Sequence, residues 1–331
     1  MCCKSRVFYD KIIISIKIIS KFSPLNYAVF KQRRLLFENM IRDYVIGIDD
    51  TDAIGTKGTG AIADELRKII EEKGYGEVGK TTRHQLLIHP DIRYTSHNSS
   101  MVFTAKIDDK YEMRLKETCC AHLKQESAEG SDPGLCIFIP DDVKDKSELV
   151  EFGYRAKNIV LRKEEALNLA KKYGVYLQEL GGDGSGIIGA LAGTILRYGG
   201  NDGELKGGAK SFESESTYSA KQIRSHKNVD DIVSVDGENI SDDADVYVDW
   251  KVKPVMTNGK FIVFAKKIGE NKYATLLKNE MRDFVFTRTA VSPCKYYSPD
   301  VHEELLNSEN SCLNCAFRRW SDKSFSCEKK K

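Results

Sequence analysis

The chain has 331 residues, 41% hydrophobic and 30% charged, proportions that exclude an intrinsically disordered chain and leave room for two or three globular domains. Lys and Arg total 51 against 49 Asp and Glu, a net charge of +2, so no global basic field recruits nucleic acid and any such partner must be held by a local patch. In residues 1–39 the apolar run Ile12-Ile13-Ile14-Ser15-Ile16-Lys17-Ile18-Ile19 is too short and too interrupted by lysine to span a bilayer, and no convincing cleavage site follows it. No membrane partner is expected, and the expected compartment is the cytoplasm. Met40, just before Ile41-Arg42-Asp43-Tyr44, is the expected natural start; the alternative is an extra N-terminal helix docked on the body.

The first strong pattern follows at once. Tyr44-Val45-Ile46-Gly47-Ile48 reads as a buried strand that ends abruptly in Asp49, Asp50 and Asp52, then in Gly55-Thr56-Lys57-Gly58-Thr59-Gly60. Residues 61–70 have helical periodicity, so the segment is strand, acidic turn, helix. Carboxylates crowded at a strand end repel one another, and a hard cation such as Mg²⁺, itself bridged to phosphate oxygens, relieves that repulsion. Glycines allow close backbone approach to a phosphate, and a helix start offers free N–H groups. A solvated turn after a core strand is the simpler alternative, but one Asp and one Gly would suffice for it.

Further along, residues 85–89 and 100–107 look like strands, separated by a polar loop that holds Arg93, His97 and Asn98, and residues 111–126 read as a helix. Asp132-Pro133-Gly134 turns into another buried strand over 135–140. A second glycine-rich turn, Leu180-Gly181-Gly182-Asp183-Gly184-Ser185-Gly186, leads into a small-residue apolar helix over 187–196, which must pack tightly against something flat. This turn either carries a nucleotide phosphate or ribose or is simply a tight structural turn. Strand and helix interleave throughout, as in an α/β fold whose ligands collect at strand ends.

Residues 206–242 are polar and charged, in keeping with a linker or insertion. Strand-like segments over 244–252 and 260–265 then flank a Thr257-Asn258-Gly259 turn. Of nine cysteines, Cys294, Cys312, Cys315 and Cys327 gather near the C-terminus, and the Cys312-Leu313-Asn314-Cys315 hook has the spacing of two thiolates on one Zn²⁺. The other two ligands would be single, so zinc, an iron–sulfur cluster and unligated thiols all stay open. Arg282, Arg288, Arg318, Arg319 and Trp320 could hold RNA, with a base stacked on Trp320; equally, Phe317 and Trp320 could plug a small metal-stabilised core.

Three of these motifs, Gly47-Ile48-Asp49-Asp50-Thr51-Asp52 with Thr59 downstream, Asp132-Pro133-Gly134, and Gly186-Ile187-Ile188-Gly189-Ala190-Leu191, occur in the order seen in the archaeal isoleucine-tRNA 2-agmatinylcytidine synthetase family, which the chain resembles over about residues 41–203. The resemblance implies a kinase-like α/β nucleotide-binding domain with a ferredoxin-like α+β part over 40–205 and a small C-terminal β-module with a metal-binding tail over 243–331. It implies ATP, Mg²⁺, tRNA and agmatine or another amine: a cytidine carbonyl oxygen is phosphorylated, and the amine then displaces the phosphate.

By the same resemblance, Asp49, Asp50 and Asp52 hold Mg²⁺ and the triphosphate, and Thr59 matches the family's phosphorylatable threonine. Lys57, Gly58, Gly60, Gly181, Gly182, Asp183, Gly184 and Gly186 would line the nucleotide, with Lys57 or Arg83 supplying positive charge. Arg93, His97, Asn98 and Trp320 would meet the substrate. The family's cysteine before the threonine and second threonine after it are replaced here by Gly58 and Gly60. Two other readings remain beside the RNA-modifying enzyme: an ATP-dependent kinase or ligase of a small molecule, and a non-catalytic nucleotide- or nucleic-acid-binding homologue.

Overall fold

A computed structural model describes residues 40–94, 98–236, 238–277 and 280, together with the backbone of 318–320 and 325–327. Its N-terminal half contains β1 (Ile41–Asp49), α1 (Thr59–Glu72), β2 (Gly76–Val78), β3 (Thr82–Gln85), β4 (Ser99–Asp108), α2 (Glu112–Glu126), β5 (Gly134–Phe138), α3 (Ser147–Arg155), α4 (Lys163–Tyr173), β6 (Tyr176–Glu179) and α5 (Gly186–Gly199). The C-terminal half adds β7 (Glu204–Leu205), β8 (Ser216–Ser219), α6 (Ala220–Arg224), β9 (Asp231–Ser234), β10 (Asp245–Val248), β11 (Val255–Thr257), β12 (Lys260–Gly269) and β13 (Lys272–Thr275). A short antiparallel pair, β14 (Arg318–Trp320) and β15 (Phe325–Cys327), stands apart.

All the others join one mixed sheet in the order β6-β5-β1-β4-β3-β7-β11-β12-β13-β10-β8, with β2 beside β4 and β9 beside β12. Within it β5-β1-β4-β2 is wholly antiparallel, and α1 and α2 share one face. That is the βαββαβ arrangement of a ferredoxin-like unit.

The apolar run at the start of β1 is explained by cover on both faces. Tyr44, Ile46 and Ile48 face the layer of α1 and α2 with Ile62, Leu66, Ile70, Leu115 and Leu123, while Val45 faces Phe152, Ile187, Ala190 and Leu191 from α3 and α5. Alternation continues in β5, where Leu135 and Ile137 lie on the first face and Cys136 and Phe138 on the second. Helix α5 lies directly on the strands because its contact face is glycine. A Cβ at Gly189 would overlap Asp49 Oδ2, and one at Gly186 would overlap the backbone of Asp132.

Several expected elements shift. The strand expected at 85–89 lies at 82–85, since its inward side chains are the buried, polar Thr82 and His84, and beyond Gln85 the Leu87 N–H leaves the ladder for Ala156 O (3.1 Å). Residues 206–242 are not a bare linker: they carry β8, α6 and β9, whose Ala220, Ile223 and Ile232 enter a core with Val246, Val263 and Tyr273. Strand β12 pairs with β11 across the Asn258-Gly259 turn, whereas β10 pairs with β8 and β13. Asn258 (φ 48°) and Gly259 (φ 75°) both adopt the left-handed region that such a two-residue turn requires. Among the described residues no helix is long and apolar enough to cross a membrane.

Candidate active site

Where β1 ends, the chain must release three carboxylates into one turn. Asp50 does so with φ 51°, a left-handed conformation that is strained for most residues and tolerated by Asp. Asp49 is buried beneath α5; burial first, then the charges of Asp50 and Asp52, push its carboxyl up to about 8. Asp50 is pushed up to about 6 by burial and by the charges of Asp132 and Asp52, against the pull of Arg93.

These acids form one pole of a cleft of about 250 Å³. Its lining comes from the β1 turn (Asp49, Asp50, Asp52), the polar loop after β3 (Asp91, Arg93, Asn98), the glycine turn before α5 (Asp183, Ser185, Gly186) and the α3–α4 connection. The rest of the lining includes the apolar Leu86, Ile92, Ile159, Val160 and Ile188, with Ile159 and Val160 exposed to solvent. A cleft that combines carboxylates with apolar side chains suits a ligand that carries both a flat ring and metal-bound phosphate.

Asp132 holds the glycine turn in place. Its Oδ1 accepts the Asp183 N–H (2.5 Å), its carbonyl accepts the Gly186 N–H (3.1 Å), and its Oδ2 accepts from Arg93 (3.0 Å). Arg93 also pairs with Asp183, so one exposed guanidinium ties the polar loop to the glycine turn. Ser185 N–H and side-chain bonds hold the Asp183 carboxyl below its ordinary range, with Arg93 and Lys163 adding to this. The Asn98 amide donates to Leu87 O (2.6 Å), pinning the end of the same loop.

The structure thus brings Asp49, Asp50, Asp52, Arg93, Asn98, Asp183 and Gly186 to a single cleft. Lys57 is elsewhere: its ammonium pairs with Glu65 (2.9 Å) and Glu126 (2.6 Å), and neither it nor Gly58 nor Gly60 lines the cleft. Arg83 donates to Gln85 (2.8 Å) on β3. Thr59 is buried at the start of α1, donating to Asp52 Oδ1 (3.3 Å), one link behind the lining. Gly181, Gly182 and Gly184 shape the turn without lining the cleft; a Cβ on Gly182 would overlap Asp132 Oδ1. His97, Cys294, Cys312 and Cys315 lie outside the described residues, as do the side chains of Trp320 and Cys327.

Sequence reasoning missed the α3–α4 connection and what stands behind it. Lys157, fully buried, donates to Asp202 Oδ2 (2.7 Å) and to Gln85 O (2.9 Å). The other Asp202 oxygen accepts from His84 Nδ1 (2.8 Å), whose Nε2 is 2.8 Å from the Thr82 hydroxyl. Burial lowers the His84 pKa despite Asp202, which fits a neutral ring donating from Nδ1. Asp202 is held well below the carboxylate range by Lys157 and His84, against the opposing effect of burial. Gln85 and Lys157 are direct neighbours of the lining residues Leu86 and Ala156, so this network fixes the back wall.

Among the described residues no group of three or more His, Cys, Asp or Glu is arranged as a ready-made metal cage. Mg²⁺ does not require one: it takes one or two carboxylates and completes its shell with waters and substrate phosphates. Asp50 and Asp52, hard oxygen donors on the acidic pole, fit that role.

No protein-family model matches the chain, and no curated protein matches it. Among solved structures, a complex of TiaS with an isoleucine tRNA and ATP matches at 26% identity and a TM-score of 0.41, over 46% of this chain and 36% of that one. A complex of TiaS with the same tRNA, AMPCPP and agmatine matches at 25% identity and 0.40, over 46% and 36%. Apo TiaS, an isoleucine-tRNA agmatidine synthetase, matches at 25% identity and 0.39, over 46% and 35%. The matched part is thus little more than a third of the length of these proteins.

Proposed function

We propose that the chain is an ATP-dependent RNA-modifying enzyme that phosphorylates a cytidine carbonyl oxygen and lets an amine such as agmatine displace the phosphate. The observation that carries this reading is the convergence of Asp49, Asp50, Asp52 and Asp183 on one cleft that also has apolar lining. The resemblance of the three motifs supplies the reaction, and the cleft's chemistry is consistent with it.

Phosphoryl transfer demands positioning and neutralisation of charge more than covalent chemistry. Bound Mg²⁺, held by Asp50 and Asp52, would supply that neutralisation at the triphosphate. Ile159 and Val160 would seat the nucleobase, and Arg93, poised between Asp132 and Asp183, would turn to a phosphate oxygen. Asp49, pushed up to about 8, keeps its proton near neutrality and would release it when a cation arrives. An amine, cationic at neutral pH, is drawn to the same acidic lining, including Asp91.

The test is ATP turnover by the full chain with Mg²⁺, with and without total tRNA plus agmatine, and with Asp50→Asn as control. Stimulation by tRNA supports the reading. Turnover indifferent to tRNA favours the second reading, a small-molecule kinase or ligase, for which the near-zero net charge of +2 speaks. Binding of ATP without turnover points to a non-catalytic homologue.

A further inference from the structure

At the opposite end of α5 from the cleft, Arg197 is turned inward and makes no ion pair among the described residues. Its Nε is buried without a hydrogen-bond partner, and burial alone pushes its pKa down to about 10. The guanidinium carbon sits 5.4 Å from the ring centroid of Phe261, at the start of β12. Lys80, from the β2–β3 connection, places its ammonium 5.3 Å from the same ring and donates to Lys227 O (3.0 Å). Burial and the charges of Lys227 and Arg197 lower the Lys80 pKa, opposed by Asp230. Asp230 Oδ2 is itself occupied by the Phe261 N–H (2.6 Å).

Other cations of this region are matched. Lys253 pairs with Glu204 (2.7 Å), and Arg224 pairs with Asp231 (2.8 Å) and Asp242 (2.6 Å). Two cations, Arg197 and Lys80, share one phenyl ring, with Lys227 charged beside Lys80, and their repulsion is only partly offset by the ring's quadrupole. A bound anion would complete the compensation.

We propose that Arg197 and Lys80, both standing over Phe261, form with the neighbouring Lys227 a docking point for phosphate groups of a polynucleotide backbone. The choice of polynucleotide rests on the function proposed above. An acidic cleft repels a nucleic-acid backbone, and a net charge of +2 provides no general attraction, so the anchor has to lie outside the cleft. Arg197 lies eleven helical steps beyond Gly186 on α5, about 16 Å by helical rise, on the order of five nucleotide steps. The backbone is then held at one end of α5 while a base reaches the cleft at the other.

The test is binding of the full chain to total tRNA across a salt series, for the unaltered protein, Lys80→Gln/Lys227→Gln and Arg197→Gln, with ATP binding followed in parallel. The expected result is at least about tenfold weaker tRNA binding by the double variant, a salt slope reduced by about 0.7 per lost contact, and unchanged ATP affinity. If Arg197→Gln fails to fold, the double variant still decides. tRNA binding with unaltered affinity and slope in the double variant overturns the docking point and leaves the proposed function standing. An unaltered protein that binds no tRNA overturns both.

Discussion

Two clusters of charge flank the back wall of the cleft, and they behave in opposite ways. Behind it, Lys157, Asp202 and His84 are almost wholly buried, yet every charge has a partner and Asp202 is held far below its usual range. In front of it, Asp49 and Asp50 crowd against further carboxylates, and their pKa values rise to about 8 and about 6. The first cluster is balanced and needs nothing from outside. The second is a standing imbalance of negative charge, the kind of site the proposed function would fill with a cation and a phosphate-bearing ligand.

The largest expected effect lies in the balanced cluster. Asp202→Ala strands a buried ammonium and should cost about 3–5 kcal/mol, read by denaturant unfolding; a loss under about 1 kcal/mol would mean that water or a rearranged partner replaces the carboxylate. Next comes the imbalanced cluster, where stability and activity should part company. Asp50→Asn should lower ATP turnover about 10²–10³-fold while leaving the unfolding midpoint unchanged or raised. Turnover equal to that of the unaltered protein would remove the cleft from the chemistry.

A steric probe comes third. Gly189→Ala drives a Cβ into Asp49 Oδ2 and should cost about 1–3 kcal/mol, whereas Gly199→Ala, in open space on the same helix, should be neutral or mildly stabilising. Equal effects at the two positions would show that α5 has slack over Asp49.

The smallest effect is in pH. Raised carboxylates contribute stability that is full below the ordinary Asp range and lost as pH climbs through about 6 for Asp50 and about 8 for Asp49. Asp202 has the opposite sign: its contribution is full above the ordinary Asp range and disappears only under strong acid. The ligand-free protein should therefore lose a few degrees of melting temperature between pH 6 and pH 8, and Asp49→Asn should remove most of that loss. Stabilisation by Mg²⁺ with ATP should grow over the same window, because binding displaces the protons. A flat profile from pH 6 to pH 8 would contradict the raised carboxylates.

The front cluster was far more legible in the sequence than the one behind it. Asp49, Asp50 and Asp52 follow directly on an apolar strand, so chain order alone puts them at a strand end. The tight packing expected of the helix over 187–196 is likewise met by the glycine face of α5. The rear network was hidden because its members are 45 and 118 residues apart and none sits in a pattern: Lys157 follows a helix, Asp202 lies in a short connection and His84 faces inward from a strand. Its polar inward face also misplaced β3, since Thr82 and His84 show no apolar signal while the apolar run Leu86-Leu87-Ile88 imitates a buried strand. Lys57 misled for another reason. A lysine beside glycines suits a phosphate loop equally well, and nothing local reveals that Glu126, far along the chain, claims its charge.

The glycine face of α5 has one more consequence. Because its glycines let α5 sit close on the strands, the helix is fixed along its axis both by side chains such as Ile187 and Leu191 in the core and by hydrogen bonds at its two ends. At one end the Gly186 N–H is held by Asp132 O (3.1 Å), and at the other the Gly200 carbonyl accepts from Gly259 N–H (2.9 Å) in the β11–β12 turn. Any slide of the helix must register at both places together, so the acidic turn and the distant hairpin share a single mechanical coordinate.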